Sequence, residues 1–160
     1  MKKLLLFLSG FIIFVTLKAQ STEAPVSLTT KAAYLELLGS GVVFSVNFDS
    51  RFRGENGFGY RVGIGNAISP NIFIIPLGIN YLTGAGPGHF EAEFTASILT
   101  SSRSYNDKVY STPVLLYPHI GYRHFKPGKS FLWRINAGPT FEPGGRVIPF
   151  LGFSLGYSWQ

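Results

Sequence analysis

Eight charged residues stand in runs of alternating apolar and polar residues that carry almost no other charge: Glu36, Asp49, Arg51, Arg61, Glu91, Glu93, Arg123 and Arg134. Four are acids and four are arginines, and that balance frames their chemistry. Glu91 and Glu93, two residues apart, share one face of a strand, as paired carboxylates for acid–base work require. With as many arginines at hand, mutual pairing through charge-assisted hydrogen bonds is the simpler role. The eight are read as a structural charge network.

Other side chains offer less. His89, His119 and His124 fall at different strand positions, without metal-ligand spacing, in a chain with no cysteine. A hydrolytic site would need a serine beside a histidine. Ser97 or Ser101 with His119 can be drawn that way, as at the rim of barrel enzymes that trim lipids, but nothing in the spacing requires it. Glycines alternate with aromatic residues and none opens a helix, so a phosphate-cradling loop is not credible. The expectation is a non-enzymatic protein with no catalytic, metal-binding or cofactor-binding residue.

The elements that must position the eight charges are strands. From Lys31 onward the pattern has period 2, with no sustained helical period. In Val42–Phe52, Phe44, Val46 and Phe48 oppose Ser45, Asn47, Asp49 and Arg51. The same alternation runs through Phe58–Asn66, Ile72–Leu82, Phe90–Ile98, Thr112–His124, Ser130–Phe141 and Val147–Trp159. Turn-forming clusters separate these seven runs, and the one long connection, Thr100–Ser111, is polar. The polar position in Ala32–Leu38 is Glu36, an even number, whereas after Gly39–Ser40–Gly41 the polar positions are odd. Such a parity change means either a bulge in one long strand or a hairpin turn. The hairpin is favoured because it gives eight strands, an even number that returns both termini to one side.

The chain has 160 residues, 46% hydrophobic, 16% aromatic and 14% charged, which fits one domain and excludes a disordered chain. Lys2 and Lys3 precede an apolar run to Leu17, followed by Lys18, Ala19 and Gln20. Residues 1–19 read as a cleavable signal peptide, too short for a membrane-spanning helix, and residues 20–30 as a flexible lead-in to a domain over 31–160. Losing Lys2, Lys3 and Lys18 lowers the net charge from +6 to +3 and leaves no basic run, so a nucleic-acid partner loses its main support.

In a soluble sandwich the apolar face packs inward; in a membrane barrel it faces lipid. The apolar faces here are large and nearly pure. The opposite faces are rich in Gly and Ser, and the strand interiors contain no lysine. An arginine facing lipid at mid-depth costs about 2–4 kcal/mol. Turned inward, the four arginines and four acids can satisfy one another. The expected fold is all-β: a single eight-stranded antiparallel up-and-down transmembrane β-barrel with a side-chain-filled interior. Aromatic residues near strand ends, Phe52, Phe58, Tyr81, Phe90, Tyr122, Phe131, Tyr157 and Trp159, fit interfacial girdles.

The stretches YLELLGSGVVFSVNFDSRF (Tyr34–Phe52), GFGYRVGIG (Gly57–Gly65), IPLGINYLTG (Ile75–Gly84), GHFEAEF (Gly88–Phe94), GYRHFKPGKSFLWRINAGPTF (Gly121–Phe141) and IPFLGFSLGYSW (Ile148–Trp159) resemble small outer-membrane β-barrel proteins of Gram-negative bacteria. The resemblance covers almost all of the mature chain. It implies outer-membrane localisation, with membrane lipid and the outer-membrane assembly machinery as partners, but it transfers no activity. The final strand also resembles the assembly signal of such proteins, with Gln160 following Trp159. The resulting expectation is a structural, adhesion or surface-binding role through extracellular loops. The alternatives are a soluble exported lipocalin-like carrier of a small ligand and a rim-site lipid hydrolase.

Overall fold

A computed structural model describes residues 28–66, 72–101, 113–126 and 128–160. The leader, all but the end of the lead-in, and most of the long polar connection lie outside the described residues. The strands are β1 (Lys31–Leu38), β2 (Phe44–Arg51), β3 (Gly57–Asn66), β4 (Ile72–Ala85), β5 (Gly88–Ser101), β6 (Val114–His124), β7 (Ser130–Phe141) and β8 (Val147–Trp159). Each pairs antiparallel with the next, and β1 pairs with β8, so the sheet closes on itself as an up-and-down barrel. Closure leaves no free sheet edge. The start of β1, the end of β8 and the turns β2–β3, β4–β5 and β6–β7 gather at one end, here called the terminal end. The other four connections form the loop end.

The change of parity at Gly39–Gly41 is a hairpin, because β1 and β2 pair in register from Lys31↔Ser50 to Leu37↔Phe44. The strand expected to begin at Val42 begins instead at Phe44. Val42 has φ 68° and ψ −66°, and Val43 N donates to Gly41 O at 3.0 Å. That is the rare γ-turn, which a β-branched residue adopts only under constraint. The constraint is visible: Gly39, Ser40 and Gly41 form a buried 3₁₀ turn that folds into the barrel mouth. Gly39, at φ 74°, lies so close to the Glu36 carboxylate that a Cβ would collide with it. At the other end, β4 and β5 run further than the apolar alternation, to a two-residue turn at Gly86–Pro87. Gly86 supplies the positive φ, 67°, that short hairpins demand.

Alternation along each strand divides the barrel. Among the described residues 28 large apolar side chains are exposed and only seven apolar residues are buried, the reverse of a soluble domain. Of the strand residues that face outward, only Lys31, at the start of β1, is charged. Near the terminal end the outward aromatic rings form an almost continuous band. Trp159, Phe48 and Tyr60 follow one another at 6.2 and 6.4 Å, Phe58 meets Tyr81 at 5.0 Å, and Phe90, Tyr122 and Trp133 follow at 6.0 and 5.4 Å.

Inside, size complementarity governs packing. Large inward side chains sit across from glycines on neighbouring strands: Tyr34 from Gly156, Arg51 from Gly59, Asn47 from Gly63, Arg61 from Gly78, and Glu91 from Gly121. Each glycine leaves the volume that its neighbour fills, which is how a narrow barrel holds four arginines at interior density. Two seams lack rungs. Pro76 interrupts β3–β4 between Val62↔Leu77 and Gly65↔Ile74. Pro118 and Pro139, which would face each other, interrupt β6–β7 between Leu116↔Phe141 and Ile120↔Ala137. Proline has no N–H to donate to a ladder.

Candidate functional site

The barrel interior has three layers. At the terminal end Ala32, Leu82, Phe125 and Leu132 form an apolar floor with the ring of Tyr34 above it. His89 stacks on Phe125, ring centres 4.4 Å apart. The middle layer holds all eight charged residues named from the sequence, none more than 4% exposed. They come from β1 (Glu36), β2 (Asp49, Arg51), β3 (Arg61), β5 (Glu91, Glu93), β6 (Arg123) and β7 (Arg134). Residues as far apart as Asp49 and Arg123 meet because the wall closes around them.

Each carboxylate is shared between two arginines. Glu36 lies 2.5 Å from Arg61 and 3.7 Å from Arg134. Asp49 lies 2.7 Å from Arg51 and 3.0 Å from Arg123. Glu91 lies 2.5 Å from Arg123 and 3.2 Å from Arg134. Glu93 lies 3.1 Å from Arg61 and 3.0 Å from Arg134. The formal charge of the set is zero, as burial demands. Arg123 and Arg134, directly opposite in the register, would repel without Glu91 between them.

Neutral partners that the sequence reading did not single out complete the network. Arg134 Nη1 donates to the Tyr34 hydroxyl at 2.6 Å, and the guanidinium centres of Arg61, Arg123 and Arg134 stand 5.6, 5.8 and 5.3 Å from the Tyr34 ring centre. Such distances fall within cation–π range. Arg61 Nε donates to Asn47 Oδ1 at 2.9 Å. Arg51 donates to Asn80 Oδ1, and Asn80 Nδ2 donates to Asp49. Parity with Glu36 places Tyr34 on the inner face, but its central position depends on the register of other strands.

The remaining candidates separate. Glu91 and Glu93 share the inner face, but each is clamped by guanidinium groups away from solvent, a geometry suited to holding the barrel together. Ser97 is buried and donates to Ser40 O at 2.7 Å. It stands across from Leu115, while His119 stands across from Glu93, so the register keeps Ser97 and His119 apart. The Ser101 side chain lies outside the described residues. His119 Nε2 is 3.3 Å from Glu93 and 3.0 Å from Arg134, and His124 stacks on Trp133 on the outer wall.

The third layer, at the loop end, departs from the polar interior that the alternation predicts. Ile74, Leu99, Leu115, Tyr117, Ile148 and Phe150 turn inward there. Around the β1–β2 half of the mouth the buried turn at Gly39–Gly41 closes the lumen, with Ser40 Oγ donating to Glu36 at 3.2 Å. Around the β5–β8 half a cavity of about 530 Å³ remains. The sequence carried a faint sign of this layer, since alternation is loose at the start of the Thr112–His124 run. No protein-family model matches the chain, and neither a curated protein nor a solved structure matches it.

Proposed function

We propose that this chain is a non-enzymatic outer-membrane β-barrel protein with lipid against its outer wall. Its role is structural, adhesive or surface-binding, carried by the connections at the loop end. The outer wall carries the proposal: an apolar band around the barrel, free of charge beyond Lys31 and bordered at the terminal end by aromatic rings. An apolar surface of this extent is unfavourable in water and suits hydrocarbon, and aromatic rings favour the interface. The terminal end then faces the periplasm, where barrels keep their short turns, and the connection containing residues 102–112 faces outward. The assembly machinery of the outer membrane and its lipids are the partners this reading requires.

Fractionation of cells expressing the full chain tests the reading. The protein should be recovered from outer membranes as a heat-modifiable band, with an intact mass lacking residues 1–19. Trypsin added to whole cells should cut at Arg103 or Lys108. Recovery as a soluble periplasmic protein would overturn the membrane assignment and favour the soluble carrier. Changes in lipid composition on expression, read by mass spectrometry, would overturn the non-enzymatic assignment.

A further inference from the structure

We propose that the apolar cup at the loop end is a binding site for a compact, uncharged, largely apolar small molecule with one neutral hydrogen-bonding group. The cup lies inside the barrel. Its walls are Val42, Leu99, Leu115, Ile148 and Phe150, and its floor is Tyr117 and Thr140. These wall residues belong to the inner faces of β5, β6 and β8 and to the β1–β2 turn. On those same faces, deeper in, every position from Glu91 to Ser97 and from Gly152 to Ser158 is polar or glycine. The inner wall thus turns from polar to apolar at the end where the barrel opens. That arrangement leaves half-buried leucine and isoleucine side chains beside solvent, where an apolar occupant would remove them from water.

The volume of about 530 Å³ falls within the range of small-molecule sites. A second observation points to the ligand. Thr140 is only 3% exposed and lines the cup, and among the described residues its buried hydroxyl makes no well-formed hydrogen bond, having only a loose contact with the neighbouring Tyr117 hydroxyl. A buried hydroxyl whose hydrogen bonding is left incomplete is costly, and a ligand hydroxyl or carbonyl at the floor would complete it. Tyr117, opposite Thr140 across the proline-interrupted seam, holds its ring against Phe150 at 5.8 Å, edge to face, which fixes the shape of the floor. Charge is selected against. Glu142 at the rim presents a carboxylate to any anion entering the cup. Among the described residues no arginine lines the cup to receive one.

The occupant is an alicyclic or short aliphatic alcohol or ketone rather than a fatty acid. The site is internal, so the proposal holds whichever medium surrounds the outer wall. Its failure is therefore separable from failure of the membrane reading.

The test uses methyl-labelled full chain, in lipid nanodiscs or, if fractionation finds it soluble, in plain buffer. Menthol is titrated, with decanoate as the charged comparison of equal carbon number. The methyl signals of Leu99, Leu115 and Ile148 should move saturably with menthol and not with decanoate. Outward methyls of Leu77, Ile79 and Leu151 report partition into lipid and should not saturate. Leu115→Trp, which fills the cup, should abolish the response. Thr140→Val should weaken it about 3- to 10-fold, the loss of one hydrogen bond. Non-saturating shifts, a response unchanged by Leu115→Trp, or decanoate binding as tightly as menthol would overturn the proposal. Contacts between the cup methyls and Tyr105 or Tyr110, present without ligand and unmoved by it, would overturn it too, with the cup then occupied by the chain's own connection.

Discussion

Removing Arg61 should disrupt the barrel more than removing any other arginine of the charge network. Among the described residues Arg61 is Glu36's only guanidinium partner within hydrogen-bonding distance, at 2.5 Å; Arg134 stands off at 3.7 Å. Every other carboxylate keeps a close arginine when one is lost. Without Arg134, Glu93 retains Arg61 at 3.1 Å and Glu91 retains Arg123 at 2.5 Å. Without Arg123, Asp49 retains Arg51 at 2.7 Å. Breaking a buried pair costs about 3–5 kcal/mol, a large part of a total stability of about 5–15 kcal/mol. Arg61→Met should fall in that range, and Arg134→Met, whose acids keep partners, at its lower edge. Adding Glu36→Gln to Arg61→Met removes the stranded charge and should recover about 2 kcal/mol. Adding Asp49→Asn restores neutrality equally but acts on an acid that Arg61 does not touch, so it should recover less. The assay is urea unfolding of refolded protein in lipid vesicles, followed by the fluorescence of Trp133 and Trp159. If Arg61→Met lies within about 1 kcal/mol of the wild type, the pair behaves as an exposed one and the buried-network argument fails. Equal rescue by the two amides would show that net charge, not the local pair, sets the cost.

Four further outcomes are expected. Tyr34→Phe, which deletes the acceptor of the 2.6 Å bond from Arg134 but keeps the ring beneath three guanidiniums, should cost about 1.5–3 kcal/mol in the same unfolding assay. His89→Phe should raise stability by up to about 1 kcal/mol, because among the described residues the buried ring nitrogens of His89 make no well-formed hydrogen bond, only a loose contact with the Pro87 backbone, while its stacking on Phe125 would persist; a loss of that size would contradict the assignment. Gly156→Ala, whose new Cβ would collide with the backbone and Cβ of Tyr34, should cost about 1–3 kcal/mol by overpacking, whereas Gly128→Ala, with open space around it, tests only the strain of φ 96° and leaves the interior intact. Planar-bilayer recordings should show no stable conductance, since the middle of the lumen is filled by eight charged side chains and the Tyr34 ring.

Strand number, closure and the inward set of charges were legible because alternation is strict where one face is wholly apolar. Phe44, Val46 and Phe48 against Ser45, Asn47 and Asp49 leave one solution. Partnerships were not legible. Glu36 meets Arg61 across β2, and Asp49 meets Arg123 across the lumen, and both depend on the register of whole strands. Parity says which face a residue takes and nothing of its height. The strand ends were misread where local chemistry overrides alternation: Val42 is drawn into a γ-turn by the inward fold of Gly39–Gly41, and the Gly86–Pro87 turn lets β4 and β5 continue through polar residues. The apolar cup escaped because Leu115 and Ile148 are apolar on a face read as polar, so their runs looked irregular rather than informative.

The proline-interrupted seams divide the wall into two staves. One is β4–β5–β6, and the other is β7–β8–β1–β2–β3, which contains the closing pair. The backbone ladder is broken where these staves meet. The interior charges reinforce it there: Arg61 to Glu93, Arg123 to Asp49, and Arg134 to both Glu91 and Glu93 each reach from one stave to the other. The side chains thus work as crossbars, sharing load that the interrupted ladders cannot carry. Spreading the two staves would require stretching all four arginine–carboxylate contacts together, so the barrel should yield as a unit, and not peel open strand by strand from either proline gap.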